Sequence, residues 1–173
     1  LFTISMFLSK SMFQPRKMYS LVLKGNTSVD VSIKNDYTDA GFEFLENNKK
    51  IETNEFKINV KNDVDTNNLG QYAYTYEVTY NNTTYTAKRI VNVVDNIPPV
   101  IKTDMQQVEL FSCQKDGKLN IEYSAEDNYD GVITDKVKEK IDANKVILSV
   151  VDSSGNETTK EIPIVETEEP SPK

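Results

Sequence analysis

Between Gln71 and Tyr80 the chain alternates with a period of two. Tyr72, Tyr74, Tyr76, Val78 and Tyr80 fall on one parity, and Gln71, Ala73, Thr75, Glu77 and Thr79 on the other. Successive side chains of a strand point to opposite faces, so this run predicts a β-strand with one buried face. Aromatic and β-branched residues suit such a pleated surface. Asn81-Asn82 follows, and then a second β-rich run to Val94. Asparagine tolerates the left-handed backbone of a tight hairpin turn, so 71–80 and 84–94 are expected to form one long antiparallel hairpin. The same alternation marks Val29/Val31/Ile33, Phe56/Ile58/Val60, Leu119/Ile121/Tyr123/Ala125 and Val146/Leu148/Val150. Many short strands with frequent turn signals predict sandwiches or barrels rather than parallel α/β units. Asp135 to Ala143 stays open. Val137 and Ile141 lie four apart, which fits a short helix, but nine residues are marginal for one.

The chain punctuates itself at Val94-Asp95-Asn96-Ile97-Pro98-Pro99. Two prolines cannot continue a central strand and they stiffen the junction. The patterns on either side match. Val78 to Thr86 aligns with Val150 to Thr158 at an offset of 72, and each is followed by a strand carrying a lysine, Lys88 or Lys160. Two copies of one unit, each of roughly 70 residues, is the economical reading, and that size is viable with a two-sheet core.

Composition removes whole classes of chemistry. With no histidine there is no Ser-His-Asp triad, Cys-His dyad or His-ligated metal. A single cysteine, Cys113, allows no disulfide framework and no thiolate zinc cluster. The formal charge of -7 leaves no basic stripe to neutralise phosphates, so nucleic acid is not an expected partner. No nucleophile motif is present, and an enzyme is not expected. Leu1 to Leu8 is apolar but too short to span a bilayer, which takes about 20 residues. It reads either as a truncated export or anchor segment or as an N-terminal strand. The acidic, proline-punctuated end from Glu166 to Lys173 reads as a linker or tail.

Several short motifs occur together. The first half carries Tyr37-Thr-Asp-Ala-Gly-Phe42, Gly70-Gln-Tyr-Ala-Tyr-Thr-Tyr76 and Val93-Val-Asp-Asn-Ile-Pro-Pro99. The second carries Ala125-Glu-Asp-Asn-Tyr-Asp-Gly131 and Val150-Val-Asp-Ser-Ser-Gly-Asn156. In combination they resemble the bacterial immunoglobulin-like surface repeats, the group labelled DUF5011 and its HYR-like relatives, over roughly 19–166. The first half departs from the pattern in two places. It has Tyr80-Asn81-Asn82-Thr83 in place of the Asp and Gly-Asn turn, and Glu46-Asn47-Asn48-Lys49 in place of the acidic loop. The resemblance implies an all-β chain of two tandem immunoglobulin-like β-sandwiches, 19–95 and 97–166, with an extension at 1–18 and a tail at 167–173. It implies an extracellular place on the bacterial cell surface or wall, and a spacer or interaction role beside flanking domains of a larger surface protein. The alternative is an accessory module that binds cell-wall glycan or a host protein.

Two residue sets are candidate sites. Asp95, Glu126, Asp127, Asp130 and Asp152 are oxygen donors on expected loops. If the 126–130 loop folds towards Asp95, then Asp95, Glu126, Asp127 and Asp130 become candidate ligands for Ca2+, a hard cation that gathers six to eight oxygens. The competing reading is that these acids cap turns through side-chain to backbone bonds, with no cofactor. Tyr72, Tyr74, Tyr76 and Tyr85 could stack against a sugar ring or a partner protein. Because the opposite face is polar, the stronger expectation is that these tyrosines fill the inner face of a small sandwich.

Overall fold

The computed structural model describes residues 16–109 and 121–165. The apolar run at 1–8, Cys113, Leu119 and the tail at 167–173 lie outside the described residues. The protein is all-β. The first strands are β1 (Tyr19–Leu23), β2 (Ser28–Ser32), β3 (Phe42–Glu46), β4 (Lys49–Lys50), β5 (Lys57–Asn62), β6 (Gly70–Tyr80) and β7 (Thr83–Val94). They form a three-stranded sheet, β1-β3-β4, and a four-stranded sheet, β2-β7-β6-β5. The remaining strands are β8 (Val100–Lys102), β9 (Val108–Glu109), β10 (Ser124–Asp127), β11 (Gly131–Val132), β12 (Lys138–Asp142), β13 (Lys145–Val151) and β14 (Glu157–Val165). They form sheets ordered β11-β10-β8 and β12-β13-β14-β9. Adding seven to each strand number of the first set reproduces the sheet orders of the second.

The chain divides into two compact units. One holds the described residues up to Val29 with Thr38–Val64 and Gln71–Val91; the other holds Asp30–Tyr37, Asp65–Gly70 and the described residues from Asn92 onward. The first core packs Phe44, Ile51 and Val78 against a rim of aromatic rings from Tyr19, Phe42, Phe56, Tyr80 and Tyr85. Phe44 lies 5.2 Å from Phe56 and 5.0 Å from Tyr85, at the tilted angles that suit ring quadrupoles. The second core is aliphatic, built from Ile101, Val108, Ala125, Ile133, Val146, Leu148, Val150 and Ile162. Strand β13 shows how the alternation works: Val146, Leu148 and Val150 are buried, and the residues between them less so.

The β6–β7 hairpin forms as the alternation predicts. Asn81 and Asn82 both have positive φ, 47° and 60°, as a type I′ turn requires. One open segment resolves and two local expectations change. Residues 135–143 form no α-helix: a single 3-10 turn at Thr134–Lys136 leads into β12, which pairs antiparallel with β13 from Lys138↔Ser149 to Asp142↔Lys145. Cross-strand hydrogen bonding prevails there because nine residues cannot hold a helix without packing. The strand expected from Leu119 begins, among the described residues, only at Ser124. The alternation of Phe56, Ile58 and Val60 does not bury Ile58 or Val60, each 43% exposed, because β5 is the edge of its sheet. No helix among the described residues is long and apolar enough to cross a membrane.

Candidate cation site at a buried carboxylate cluster

Three strand ends converge in the second unit. Asp95 follows β7, Asp127 closes β10 and Asp152 follows β13. One carboxylate oxygen from each lies within 4.8 Å of the other two. All three residues are buried, with exposures of 8%, 6% and 6%. No ion pair among the described residues reaches any of them. At an effective dielectric near 20, two charges at this separation repel by roughly 3 kcal/mol, so the trio concentrates negative potential.

Local turn chemistry fixes one side of each carboxylate. Asp152 Oδ1 accepts the backbone N–H groups of Ser154 and Asn156 at 2.9 and 2.8 Å, and Asn156 Nδ2 donates to Oδ2 at 2.8 Å. Asp127 Oδ1 accepts the N–H groups of Tyr129 and Asp130, both at 2.8 Å. Asp95 Oδ1 faces the Ile97 N–H at 3.4 Å. These are Asx-type turns, in which a short acid folds back on its own backbone. Asn156 Nδ2 also donates to the Asp95 carbonyl oxygen at 3.2 Å, and Thr158 Oγ1 donates to that of Pro99 at 2.5 Å. The chain from Asp95 to the buried Pro99 is thereby fastened to the β13–β14 turn. Turn capping leaves other oxygens unused. Asp95 Oδ2, Asp127 Oδ2 and Asn128 Oδ1 are buried without a hydrogen-bond partner.

The structure thus brings Asp95 and Asp127 together with Asp152, and it places Glu126 and Asp130 elsewhere. Glu126, at the exposed face of β10, pairs with Lys102 at 3.0 Å. Asp130 accepts the Ser153 N–H at 2.7 Å and the Ser153 hydroxyl at 2.5 Å, and pairs with Lys136 at 3.3 Å. Those bonds, led by the Ser153 hydroxyl, hold its carboxyl below the usual aspartate range. The Lys34 ammonium donates to the Asn128 backbone oxygen. Asn128 and Asn156 are not among the ligands expected from sequence. The sequence marks them only as turn residues, and their part depends on which oxygen or amide faces the cluster.

The tyrosines sort by depth. Tyr76 is 6% exposed, its ring 4.7 Å from Phe42, and its hydroxyl donates to Asp39 Oδ1 at 2.6 Å. That removes Tyr76 from any binding platform. Burial, and then the bond to Asp39, raise its phenol well above the ordinary tyrosine value. Tyr85 joins the aromatic rim of the first core. Tyr74 is half-buried with its ring 5.3 Å from Tyr76, and Tyr72 is half-buried farther along β6. Beside them lies an internal ion pair that the residue pattern alone does not reveal. Arg89 Nε donates to Asp39 Oδ2 at 2.6 Å, with the two side chains only 1% and 2% exposed. The same guanidinium donates to the backbone oxygens of Asn26, Lys24 and Gly41.

Comparison with known proteins gives a family match for the first strand set. Residues 21–93 match the sequence model of the family described as "Bacterial surface protein, Ig-like domain". No curated protein matches the chain. Among solved structures, a lipoprotein from Bacteroides thetaiotaomicron aligns over 84% of this chain and 100% of its own, at 12% identity and a TM-score of 0.38.

Proposed function

We propose that this chain is a non-catalytic, extracellular module of a bacterial surface protein, made of two immunoglobulin-like units in tandem and acting as a spacer that holds a flanking domain away from the surface. The observation that carries this reading is the recurrence of one strand order. The seven strands that include the family match at 21–93 have their sheet order repeated in β8–β14. A repeated sandwich adds length without adding a reactive centre. The buried polar groups of the first unit are spent on holding the sandwich closed. Arg89 donates to Asp39 and to nearby backbone oxygens, and Tyr76, Tyr80 and Tyr85 of the long hairpin pack inward.

Strand geometry supports a mechanical role. β14 pairs in parallel with β9, Ile164 opposite Val108 and Val165 opposite Glu109. Tension that drags β14 along its own axis past β9 loads these hydrogen bonds together in shear. A hairpin pulled from its open end instead releases its bonds one after another.

Single-molecule stretching of the whole chain tests the reading. Two separate unfolding events are expected, each lengthening the tether by on the order of 200 Å, as roughly 70 residues of extended chain give at about 3.4 Å each. One event that releases the whole chain would refute the tandem arrangement. Saturable binding to purified peptidoglycan would replace the spacer with the accessory-module reading. If Tyr74→Ala abolished that binding with an unchanged melting temperature, the contact would map to β6.

A further inference from the structure

We propose that Asp95, Asp127 and Asp152 form a calcium site, with Asn128 Oδ1 as a neutral fourth oxygen. Two independent observations meet here. Three carboxylates each place an oxygen within 4.8 Å of the others, buried and with no ion pair among the described residues. On two of them, Asp95 and Asp127, Oδ2 is buried and accepts no hydrogen bond, and neither does Oδ1 of the adjacent Asn128. Turn capping explains the Oδ1 atoms of the three acids and the Asp152 Oδ2. It does not explain two buried, unpartnered carboxylate oxygens on members of a cluster of like charge, since a buried charge without a partner is strongly unfavourable.

The corresponding place in the first strand set is partnered differently. Glu46 closes β3 as Asp127 closes β10, and its carboxylate pairs with Lys17 at 2.6 Å. The loop it opens is also shorter: Glu46↔Lys49 encloses two residues where Asp127↔Gly131 encloses three.

The donors are all oxygens at strand ends and turns, with no sulfur or imidazole. Such a set selects a hard cation, and Ca2+ fits best because it accepts six to eight oxygens in irregular geometry. Mg2+ demands a near-ideal octahedron and keeps several of its own waters. Three carboxylates and one amide oxygen leave the remaining positions to water. Neighbouring charges do not compete for the cluster: Lys102 goes to Glu126, Lys136 to Asp130, and Lys34 to the Asn128 carbonyl. Bound calcium would tie the chain leaving β7 to the loops after β10 and β13. The assignment stands whether or not the chain is a spacer.

Thermal melts of the whole chain in EDTA, CaCl2 and MgCl2, together with calorimetric titration of the EDTA-stripped protein, test it. Calcium at about 100 times its Kd is expected to raise the melting temperature by roughly 10 °C or more, with one ion bound per chain. Asp127→Asn keeps an oxygen for the Tyr129 and Asp130 N–H groups but removes a charge. It should raise the melting temperature in EDTA and abolish the calcium response, whereas Glu126→Gln should retain that response. Identical melts in EDTA and calcium, or a calcium shift that survives Asp127→Asn, would overturn the site. An equal shift with magnesium would overturn the choice of ion.

Discussion

Arg89 is the most deeply committed polar residue of the first unit. Its guanidinium reaches Asp39 and three backbone oxygens while the residue is 1% exposed. Removing one member of a buried pair strands the other, so Arg89→Met should lower the unfolding free energy by about 3–5 kcal/mol in urea titrations. Tyr76→Phe should cost only about 1 kcal/mol, because Asp39 Oδ1 still accepts the Gly41 N–H at 2.8 Å. Half of this arrangement is legible in the sequence. The period of two puts Arg89 on the same parity as Val91 and Val93, both buried, and Asp39-Ala40-Gly41 reads as a turn. What cannot be read is the pairing across fifty residues, which depends on how the β3 entry meets β7. The carboxylate cluster divides in the same way. Asp95 and Asp127 are visible as loop acids, but choosing Asp152 over Glu126 and Asp130 requires knowing which strand ends converge. Glu126 sits one residue before Asp127 on β10, so the strand's alternation turns it to the opposite face.

Turns decide how the strands pair. Asn47-Asn48 and Asn81-Asn82 all have positive φ, the conformation that suits the right-handed twist of two-residue hairpins. Alanine lacks the local polar bonding that lets asparagine adopt this backbone, so Asn82→Ala should lower the melting temperature, at a cost of about 1 kcal/mol. Ala143, between β12 and β13, already carries that strain with φ of 51°. Ala143→Gly should stabilise the chain by about 0.5–1 kcal/mol, read from the same melts. The long hairpin is legible because ten residues of strict alternation end in two asparagines. β12 is not, because Lys138–Asp142 is exposed throughout and offers no buried face for a period to reveal. Its strand character comes from its neighbour β13, which is information held outside the segment.

At the scale of the whole molecule, acidity and burial set the pH range of the fold. Glu77 is held below the usual glutamate range by Lys61 and Asn59, and Asp65 below the aspartate range by Asn68 and Asn67. A carboxyl whose folded pKa is depressed stabilises the fold above its unfolded value and loses that contribution as pH falls through the folded one. Stability should therefore decline once pH drops below about 4. On the basic side, the Glu139 carboxylate and then burial push Tyr123 up to about 12. The unfolded chain ionises this phenol first, so stability should hold to about pH 10 and fall between there and 12. Guanidinium titrations at a series of pH values would show the plateau and both shoulders. The edge position of β5 reaches beyond a single copy. Ile58 and Val60 face solvent on a strand whose outer side has no sheet partner among the described residues, and Lys57 and Lys61 alternate with them. An open strand invites a neighbouring chain to continue the sheet, and lysines along it make that addition electrostatically unfavourable. Where such chains crowd side by side, Lys57 would set charge against charge at each attempted strand addition, while the Lys61 ammonium is already neutralised by Glu77 at 2.6 Å.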